Sequence, residues 1–283
     1  MSLEFGSLVI LSDQKGRNHT LLLEEGKQFF TTHGSINHDE IKNLGEGSVI
    51  SSSNGMQYTI FSPSLQDYVV NMPRGAAVIY PKDAAQIIEL ADIKNGSKIL
   101  EAGVGSGSLS LHILKTIGED GILNSCEINE DFINVAKKNV LKFLKKLPSN
   151  WNVYLYDVKD FKSEIVYDSI ILDLLNPWDM IDNVYSMLKP GGHFVCYVAT
   201  TTQMSKLVET LKLEGHWSDP IASETMYREW HLQGLSVRPK HKMNAHTGFL
   251  VHTRRMADGF KFPVKRQKPA KGAYGVDYES PSK

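Results

Sequence analysis

The alternation of apolar and polar positions divides the chain into regions with different periodicities. Residues 1–65 contain four short extended runs, at 7–11, 20–23, 47–50 and 57–61, separated by clusters of Gly, Asn, Asp and Ser. Short runs with such punctuation predict a small β-barrel-like domain. The Asn54-Gly55 pair before the fourth run indicates a hairpin with a type I′ turn, because both central positions of that turn need positive φ.

From residue 66 onward, short apolar runs alternate with helix-periodic stretches. We expect a helix to open near Lys82-Asp83, capped by Asp83 or a neighbour. The alternation predicts a parallel, doubly wound Rossmann-like α/β domain over residues 66–255, closed by a late antiparallel hairpin. Residues 256–283 are expected to form a basic, flexible tail.

The segment GSKILEAGVGSGSLS, residues 96–110, predicts a strand, a tight loop and a helix. Gly103, Gly105 and Gly107 lack Cβ atoms where the chain turns sharply, so a ligand can approach the backbone. Amides at the start of the following helix point toward such a ligand. A nucleotide-like molecule is the expected occupant, although the glycines alone also suit an ordinary strand-to-helix turn.

Acidic residues on both sides of the glycine loop restrict the choice of ligand. Glu101 precedes the loop, where a carboxylate would repel a pyrophosphate and attract a cationic or amino-bearing group. Glu127 follows Gly107 by 20 residues, where doubly wound folds place the carboxylate that receives ribose hydroxyls. Together these residues favour S-adenosylmethionine over NAD, and the pattern resembles motif I of the class I methyltransferases.

Three further candidates stand at predicted strand or helix ends. Asp157, at the end of the predicted strand at 152–158, suits the amine of an adenine, or alternatively forms a turn. Asp173 leads into Asn176-Pro177-Trp178, where the carboxylate would hold an acceptor amine and the indole would stack on a base; the alternative is a turn with a buried tryptophan. Tyr80 precedes the helix near the ligand edge, where a packing role is equally open.

Composition excludes several classes of protein. The 283 residues carry a formal net charge of -1, so nucleic-acid binding must come from local basic patches. Lysines near 135–147, the loop at 238–246 and the tail at 254–271 are candidates, with solvated surface as the alternative. No apolar run reaches the roughly 20 residues of a membrane span, and the start of the chain does not resemble a signal peptide, so we expect a cytoplasmic protein.

Neither the cysteines nor the histidines indicate a metal site. Cys126 and Cys196 fall in predicted strands and are expected to be buried thiols. The late histidines have neither helical i, i+4 spacing nor a zinc-finger pattern; they are His231, His241, His246 and His252. We therefore expect no bound metal.

Five segments together resemble the tRNA (adenine-N1) methyltransferases that modify the T-loop adenosine of tRNA. They are MPRGAAVIYPKDAAQI, LEAGVGSGSLS, LDLLNPW, YVATTTQ and VRPKHKMNAHTGFLV, of which the first and last are the most specific. The resemblance covers nearly the whole chain. It implies an N-terminal β domain joined to a class I catalytic domain, assembled as a homotetramer that grips tRNA and methylates adenine N1 at tRNA position 58.

The resemblance also implies roles for individual residues. The target adenine would face Asp173, with Tyr80 and Tyr197 lining the pocket. The expected S-adenosylmethionine-binding residues are Glu101, Gly103, Gly105, Ser106, Gly107, Ser108, Leu109, Glu127, Asp157 and Asp173.

Two other functions stay open at this point. Asn176-Pro177-Trp178 resembles the Asn-Pro-Pro-aromatic motif of the amino methyltransferases, although the second proline is missing, so an N6-adenine methyltransferase acting on RNA or DNA is one alternative. A noncatalytic RNA-binding paralogue is the other. The presence of the glycine loop, Glu127 and Asp173 disfavours it.

Overall fold

The computed structural model describes residues 3–75 and 77–263 and divides into two compact units, Met1–Pro73 and Arg74–Lys283. The expected boundary after residue 65 falls where a helix begins, Leu65–Asn71, and this whole helix belongs to the first unit. Residues 264–283, which hold most of the expected basic tail, lie outside the described part of the chain.

The first unit is built from short antiparallel strands. Its elements are β1 (Leu8–Asp13), β2 (Asn18–Leu22), β3 (Gln28–Thr31), β4 (Gly34–Asn37), α1 (His38–Leu44), β5 (Val49–Ser51), β6 (Gln57–Phe61) and α2 (Leu65–Asn71). Within the described residues, four strands form an open sheet in the order β2-β1-β6-β5, while β3 and β4 form a separate hairpin. The expected β domain is present, but its strands do not close into one hydrogen-bonded barrel.

The hairpin predicted at Asn54-Gly55 joins β5 to β6, and its turn differs from the expected one. The Ser52 N–H donates to the Met56 carbonyl at 2.8 Å, so the loop has three residues. Gly55 has a φ of 80°, whereas Asn54 does not have positive φ. A three-residue loop needs only one left-handed position, which is why the type I′ prediction was wrong although the hairpin itself is confirmed.

The second unit alternates strands and helices. Its elements are α3 (Pro81–Leu90), β7 (Lys98–Ala102), α4 (Ser108–Ile117), β8 (Ile122–Glu127), α5 (Glu130–Leu144), β9 (Trp151–Leu155), β10 (Tyr167–Asp173), α6 (Ile181–Met187), β11 (Leu188–Val198), α7 (Thr201–Glu214), β12 (Ile221–Ser223), β13 (Trp230–Gln233), β14 (Ser236–Pro239) and β15 (Phe249–Arg254). No helix of the described residues combines the length and apolarity that a membrane crossing requires.

One mixed sheet of seven strands organises this unit, in the order β12-β15-β11-β10-β7-β8-β9. The five strands from β11 to β9 are parallel, and β15 and β12 are added antiparallel at one edge. The predicted Rossmann-like alternation is therefore confirmed, and antiparallel strands do close the sheet, but the late hairpin of β13 and β14 forms a separate two-stranded sheet. Because the five parallel strands run in one direction, the polar residues at their carboxyl ends meet along one edge of the sheet.

The centre of the sheet is the apolar core of this unit. Ile170, Ile171 and Leu172 on β10 and Val195 and Cys196 on β11 are fully inaccessible to solvent. Consecutive buried residues of this kind are typical of parallel strands that are covered on both faces. This core fixes the register in which Asp173 pairs with Tyr197 at the end of the two strands.

Buried polar groups connect the strands at the other end of the sheet. The Tyr167 hydroxyl, which is fully buried, accepts a hydrogen bond from Asn124 Nδ2 at 2.6 Å and donates to Ser163 Oγ at 3.1 Å. Asn124 is 2% exposed, so its amide has no access to solvent as an alternative partner. The phenol therefore links β8 to β10 far from the carboxyl edge.

Replacing Tyr167 by Phe tests this link. The Tyr167→Phe variant leaves the Asn124 amide buried without its acceptor, which costs about 1–3 kcal/mol. We expect the free energy of unfolding, measured by denaturant titration, to fall by that amount with an unchanged m-value. An unchanged midpoint would contradict the prediction.

Candidate functional site

The glycine loop after β7 contacts the neighbouring strands on both sides. Gly103 has a φ of 88°, and its N–H donates to the Cys126 carbonyl at 3.0 Å. A Cβ at this position would overlap the carbonyl oxygen of Asp173 and stand 3.0 Å from its carbonyl carbon. Only glycine fits here, because the loop backbone lies directly against the end of β10.

The other two glycines direct the chain from the loop into α4. The Gly105 N–H donates to Glu127 Oε2 at 3.1 Å. Gly107 is the residue before α4 and has a φ of 80°, and a Cβ there would come within 3.1 Å of the Ala136 side chain. The predicted strand, tight loop and helix are confirmed, and the loop is held in place by the end of β8.

Glu127 ends β8 with its carboxylate oriented by backbone amides. Oε1 accepts hydrogen bonds from the N–H groups of Ile128 at 2.9 Å and Asn129 at 3.0 Å, in addition to the bond from Gly105 to Oε2. The residue is 7% exposed. A carboxylate held by three amides is pre-oriented, and Oε2, which accepts only one of these bonds, keeps a lone pair for a further donor.

A cavity of about 180 Å³ opens between the loop and the ends of the neighbouring strands. It is lined by Ala102, Gly103, Cys126, Glu127, Ile128, Tyr156, Asp157, Val158, Leu174, Leu175, Asn176 and Met180. Three of the residues expected to bind the cofactor, Gly103, Glu127 and Asp157, meet here. Apolar side chains supply the other walls, so the cavity suits a flat apolar ring with polar groups at its edge.

Asp157 lies beyond the strand in which the sequence placed it. β9 ends at Leu155, and Asp157 follows in an exposed turn in which its Oδ1 accepts the Lys159 N–H at 2.9 Å. The turn interpretation is therefore confirmed, and the residue also lines the cavity, where its expected contact with an adenine amine stays a prediction.

Glu101 is buried behind the loop and does not line the cavity. It is 1% exposed, and its Oε2 accepts hydrogen bonds from Ser110 at 2.7 Å and Ser125 at 2.8 Å. The other oxygen, Oε1, has no partner among the described residues. Burial raises the pKa of Glu101 to about 7. A buried acceptor of this kind suits a positively charged or N–H-bearing ligand.

The side chains that follow Gly105 are used within the fold. Ser106 Oγ accepts the Gly75 N–H at 3.2 Å, and Ser108 Oγ donates to the Ile79 carbonyl at 2.7 Å. Leu109 is 4% exposed and packs inside. These residues would therefore contact a ligand through their backbone and not through their side chains. The sequence pattern does not distinguish these two kinds of contact.

Asp173 stands at the carboxyl end of β10, half-buried and opposite Tyr197 of β11. Burial, together with the negative charge of Glu127, raises the pKa of Asp173 to about 7. Its carboxyl group accepts no hydrogen bond from the residues that the structure describes. An acceptor with a raised pKa and no partner at a ligand edge is typical of a functional group.

The two tyrosines expected in the acceptor pocket lie near each other. The Tyr197 hydroxyl donates to the Thr247 carbonyl at 2.6 Å, and burial raises the pKa of Tyr197 to about 12. Asp83, Asp173 and Tyr80 are close enough to raise it further. Tyr80 is half-buried immediately before α3. Because the only proton of Tyr197 is already donated, this phenol is not a hydrogen-bond donor to a ligand.

Asp83 is a residue whose environment the sequence did not reveal. α3 begins at Pro81, so Asp83 is inside the first turn and is not the cap that we expected. It is fully buried and hydrogen-bonded to Lys82 at 2.8 Å and to Thr247 at 2.6 Å. One hint was present in the sequence, because Asp83 lies in the first of the two most specific segments and Thr247 lies in the other.

Trp178 does not offer the base-stacking surface suggested by the sequence. It is half-buried against the core, and the Lys206 ammonium lies 4.0 Å from the centre of its ring. The alternative, a turn with a buried tryptophan, holds for the turn at Pro177–Met180, but the ring is only partly buried. His246 contacts Glu224 and the Ala199 carbonyl, and no group of three possible metal ligands occurs among the described residues.

Family models match two parts of the chain. The model of the tRNA methyltransferase complex GCD14 subunit matches residues 58–247, and a TrmI-like N-terminal model matches residues 2–50. The chain is 32% identical to the tRNA (adenine(58)-N(1))-methyltransferase TrmI of Thermus thermophilus, over 87% of this chain and 96% of that protein. It is 30% identical to the tRNA (adenine(57)-N(1)/adenine(58)-N(1))-methyltransferase TrmI of Methanocaldococcus jannaschii, over 87% and 94%.

Solved structures agree with this relationship. A SAM-dependent O-methyltransferase from Thermotoga maritima superposes with a TM-score of 0.86 at 29% identity, covering 90% of this chain and 95% of that one. The tRNA (m1A58) methyltransferase TrmI from Aquifex aeolicus gives 0.80 at 25% identity, covering 91% and 100%. The resemblance noted in the sequence is thereby confirmed, and so is the class I methyltransferase fold. The chain belongs to the GCD14 family of tRNA methyltransferase complex subunits.

Proposed function

We propose that this protein transfers a methyl group from S-adenosylmethionine to N1 of adenine 58 in the T-loop of tRNA, the position in the names of its relatives. The observation that carries the proposal is Asp173, an unpartnered carboxyl group at the sheet edge, held against the glycine loop by the close approach at Gly103. It stands beside a cavity suited to the adenosine part of the cofactor.

The cavity residues fit S-adenosylmethionine. The apolar side chains of Ile128, Val158 and Met180 would enclose its adenine ring, and Glu127 would accept hydrogen bonds from the ribose hydroxyls. Asp157 would receive the exocyclic amine of that ring. The unpartnered Glu101 oxygen suits the positive charge of the methionine part. When bound, the cofactor supplies an electrophilic methyl group on a sulfonium centre.

Asp173 is suited to hold the target adenine. N1 of adenine already has an in-plane lone pair, so the reaction needs alignment of the base more than a strong base catalyst. A carboxylate that accepts a hydrogen bond from the exocyclic amine fixes the plane of the ring. Because the methylated product is a cation, the same negative charge stabilises the positive charge that develops during transfer.

The tyrosines complete the acceptor pocket as walls. The pKa of Tyr197, raised to about 12, and its bond to Thr247 leave it without a proton-transfer role. Tyr80 lies on the neighbouring helix start, so the two rings can flank a flat base. The adenine has to leave its stack in the tRNA elbow to enter such a pocket.

The geometry favours N1 over N6 methylation. Enzymes of the second type polarise the amine with an Asn-Pro-Pro-aromatic motif, whereas here Asn176 lines the cofactor cavity and Trp178 packs under Lys206. The noncatalytic alternative is disfavoured because the glycine loop, Glu127 and Asp173 are assembled in one place.

We further propose that the protein acts in the cytoplasm as a homotetramer. The hairpin of β13 and β14 exposes apolar side chains, including Trp230 at 56%, Leu232 at 74% and Leu235 at 104%. Several exposed apolar side chains on one short hairpin suit a contact with another subunit. Multi-angle light scattering of the purified protein should give four times the chain mass of 31.7 kDa, and a monomer would contradict the assembly.

Product analysis tests the proposed reaction. The protein is incubated with unmodified tRNA and labelled S-adenosylmethionine, and the nucleosides are separated and identified by mass spectrometry. We expect the label in N1-methyladenosine, with loss of the signal when adenine 58 is replaced in the transcript. Label in N6-methyladenosine, in a ribose-methylated nucleoside, or in none would overturn the proposal.

Removing the Asp173 carboxyl group should separate catalysis from cofactor binding. We expect Asp173→Ala to lose at least about 100-fold in kcat, in the range observed when one pre-positioned electrostatic group is removed. The Kd of S-adenosylmethionine, measured by calorimetry, should stay within a few-fold. Glu119→Ala, a control at an 89% exposed carboxylate in the loop before β8, should change neither value. Loss of cofactor binding in Asp173→Ala would refute the assigned role.

The raised pKa of Asp173 predicts a pH dependence of activity. The ionised carboxylate is the active form, so kcat/KM for tRNA, measured with saturating S-adenosylmethionine, should rise with pH and level off above an apparent pKa no higher than about 7, because the bound sulfonium cation favours ionisation. Asp173→Asn should remove this rise. Glu119→Ala, at the exposed carboxylate already used as the control for Asp173→Ala, should keep it. Persistence of the rise in Asp173→Asn would contradict the assignment.

A further inference from the structure

A buried charged cluster lies at the carboxyl edge of the sheet and has no role in the reaction as described so far. It consists of Lys82 and Asp83 at the start of α3 and Thr247 just before β15. The Asp83 side chain is fully inaccessible to solvent, and the Lys82 side chain is 10% exposed. Burying an ion pair costs desolvation energy that apolar side chains of similar volume would not incur.

Every polar atom of this cluster has a specific partner. The Lys82 ammonium donates to Asp83 Oδ1 at 2.8 Å, to the Thr225 carbonyl at 2.7 Å and to Thr247 Oγ1 at 2.6 Å. Asp83 Oδ2 accepts a hydrogen bond from Thr247 Oγ1 at 2.6 Å. The threonine hydroxyl thus accepts from the lysine and donates to the aspartate, which fixes its rotamer.

The cluster is connected to the acceptor pocket through the backbone of Thr247. Its carbonyl oxygen accepts the hydrogen bond of the Tyr197 hydroxyl at 2.6 Å. The next residue, Gly248, lies directly against the same ring, since a Cβ there would come within 2.6 Å of the Tyr197 hydroxyl oxygen. Tyr197 is therefore held at its hydroxyl and along its edge by two consecutive residues of one segment.

Tyr197 in turn stands beside the group that holds the target base. It is the residue of β11 that pairs with Asp173 of β10, and the two side chains are close enough to interact electrostatically. A shift of the 247–248 backbone would move the tyrosine ring relative to Asp173. Because a displacement of about 1 Å can cost about 100-fold in rate, the position of this segment matters for the reaction.

We propose that Lys82, Asp83 and Thr247 form a positioning cluster that holds the Tyr197 wall of the acceptor pocket at a fixed distance from Asp173. This inference rests on the proposed function, because it assigns the cluster to the orientation of the target adenine. The three residues do not touch the reacting atoms, and they act through Tyr197. Their hydrogen bonds offset the desolvation cost of the buried charges, and these bonds permit a single geometry of the cluster.

Two substitutions at Thr247 separate positioning from packing. Thr247→Val keeps the shape but removes the hydroxyl between Lys82 and Asp83, whereas Thr247→Ser keeps the hydroxyl. We expect Thr247→Val to lower kcat for tRNA methylation by about 10-fold or more, with an unchanged Kd for S-adenosylmethionine. Thr247→Ser should stay near the wild-type kcat. Equal effects of the two variants would overturn the proposal.

A double-mutant cycle with Tyr197→Phe tests whether the effect passes through the tyrosine. In the Tyr197→Phe background, the hydrogen bond to Thr247 is already lost, so adding Thr247→Val should change kcat by less than about twofold. Independent losses that multiply would mean a general structural effect and would overturn the proposal. Tyr167→Phe, which removes a buried phenol bond at the other end of the sheet, is the matched control and should lower stability without changing kcat.

A measurement that does not require turnover distinguishes this inference from the proposed function. With tyrosine labelled at the ring carbon that bears the hydroxyl, the Tyr197 NMR signal is assigned by its absence in Tyr197→Phe. We expect this signal to shift in Thr247→Val and to stay in place in Thr247→Ser. An unshifted signal overturns the positioning cluster even if the enzyme methylates tRNA. If the two variants show the expected shift pattern but the wild-type protein makes no N1-methyladenosine, the proposed function alone is refuted.

Discussion

The structure of the site depends on the contact between Gly103 and the end of β10. The backbone of the loop approaches the Asp173 carbonyl so closely that no Cβ can be accommodated, and the loop N–H is bonded to Cys126 on the other side. One short loop is thus held between the ends of two strands that flank β7. This contact places Asp173 beside the glycine loop, and it lets Gly105 reach the carboxylate of Glu127. A larger residue at 103 would separate the cofactor cavity from the group proposed to hold the acceptor.

Acidic side chains gather at the same sheet edge and prepare it for cationic ligands. Burial raises the pKa of both Glu101 and Asp173 to about 7, and the charge of Glu127 contributes to each shift. Such an arrangement is unfavourable in the protein alone, because carboxyl groups repel one another and lose hydration. A sulfonium cofactor and a methylated adenine are both cations. The repulsion at the acidic edge is therefore relieved by the ligands and the product that the proposed reaction brings there.

Two neighbouring regions of this edge, each built from residues distant in sequence, are suited to different ligands. The cavity side is built from the ends of β7 and β8 and from the turn at Asp157, and it is suited to the cofactor. The proposed acceptor side combines Asp173 with Tyr80 and Tyr197, and the segment at Thr247, just before the antiparallel strand β15, holds the Tyr197 hydroxyl. The segment that leads into β15 thus does more than continue the chain into the sheet, since its Thr247 carbonyl holds the hydroxyl of Tyr197, a wall of the proposed acceptor pocket.

The sequence alone determined the features that depend on local periodicity and spacing: the alternating strands and helices, the glycine loop after β7, and acidic residues at the carboxyl edge. These could be predicted because a parallel sheet brings strand ends together whatever the details of packing. Tertiary structure decided the features that depend on contacts between remote segments. The burial of Asp83 requires Thr247, the packing of Trp178 requires Lys206, and the open sheet of the first unit follows from strand pairing. No local pattern encodes such pairings, because the free energy of a buried polar group is set by the partner that the fold brings to it.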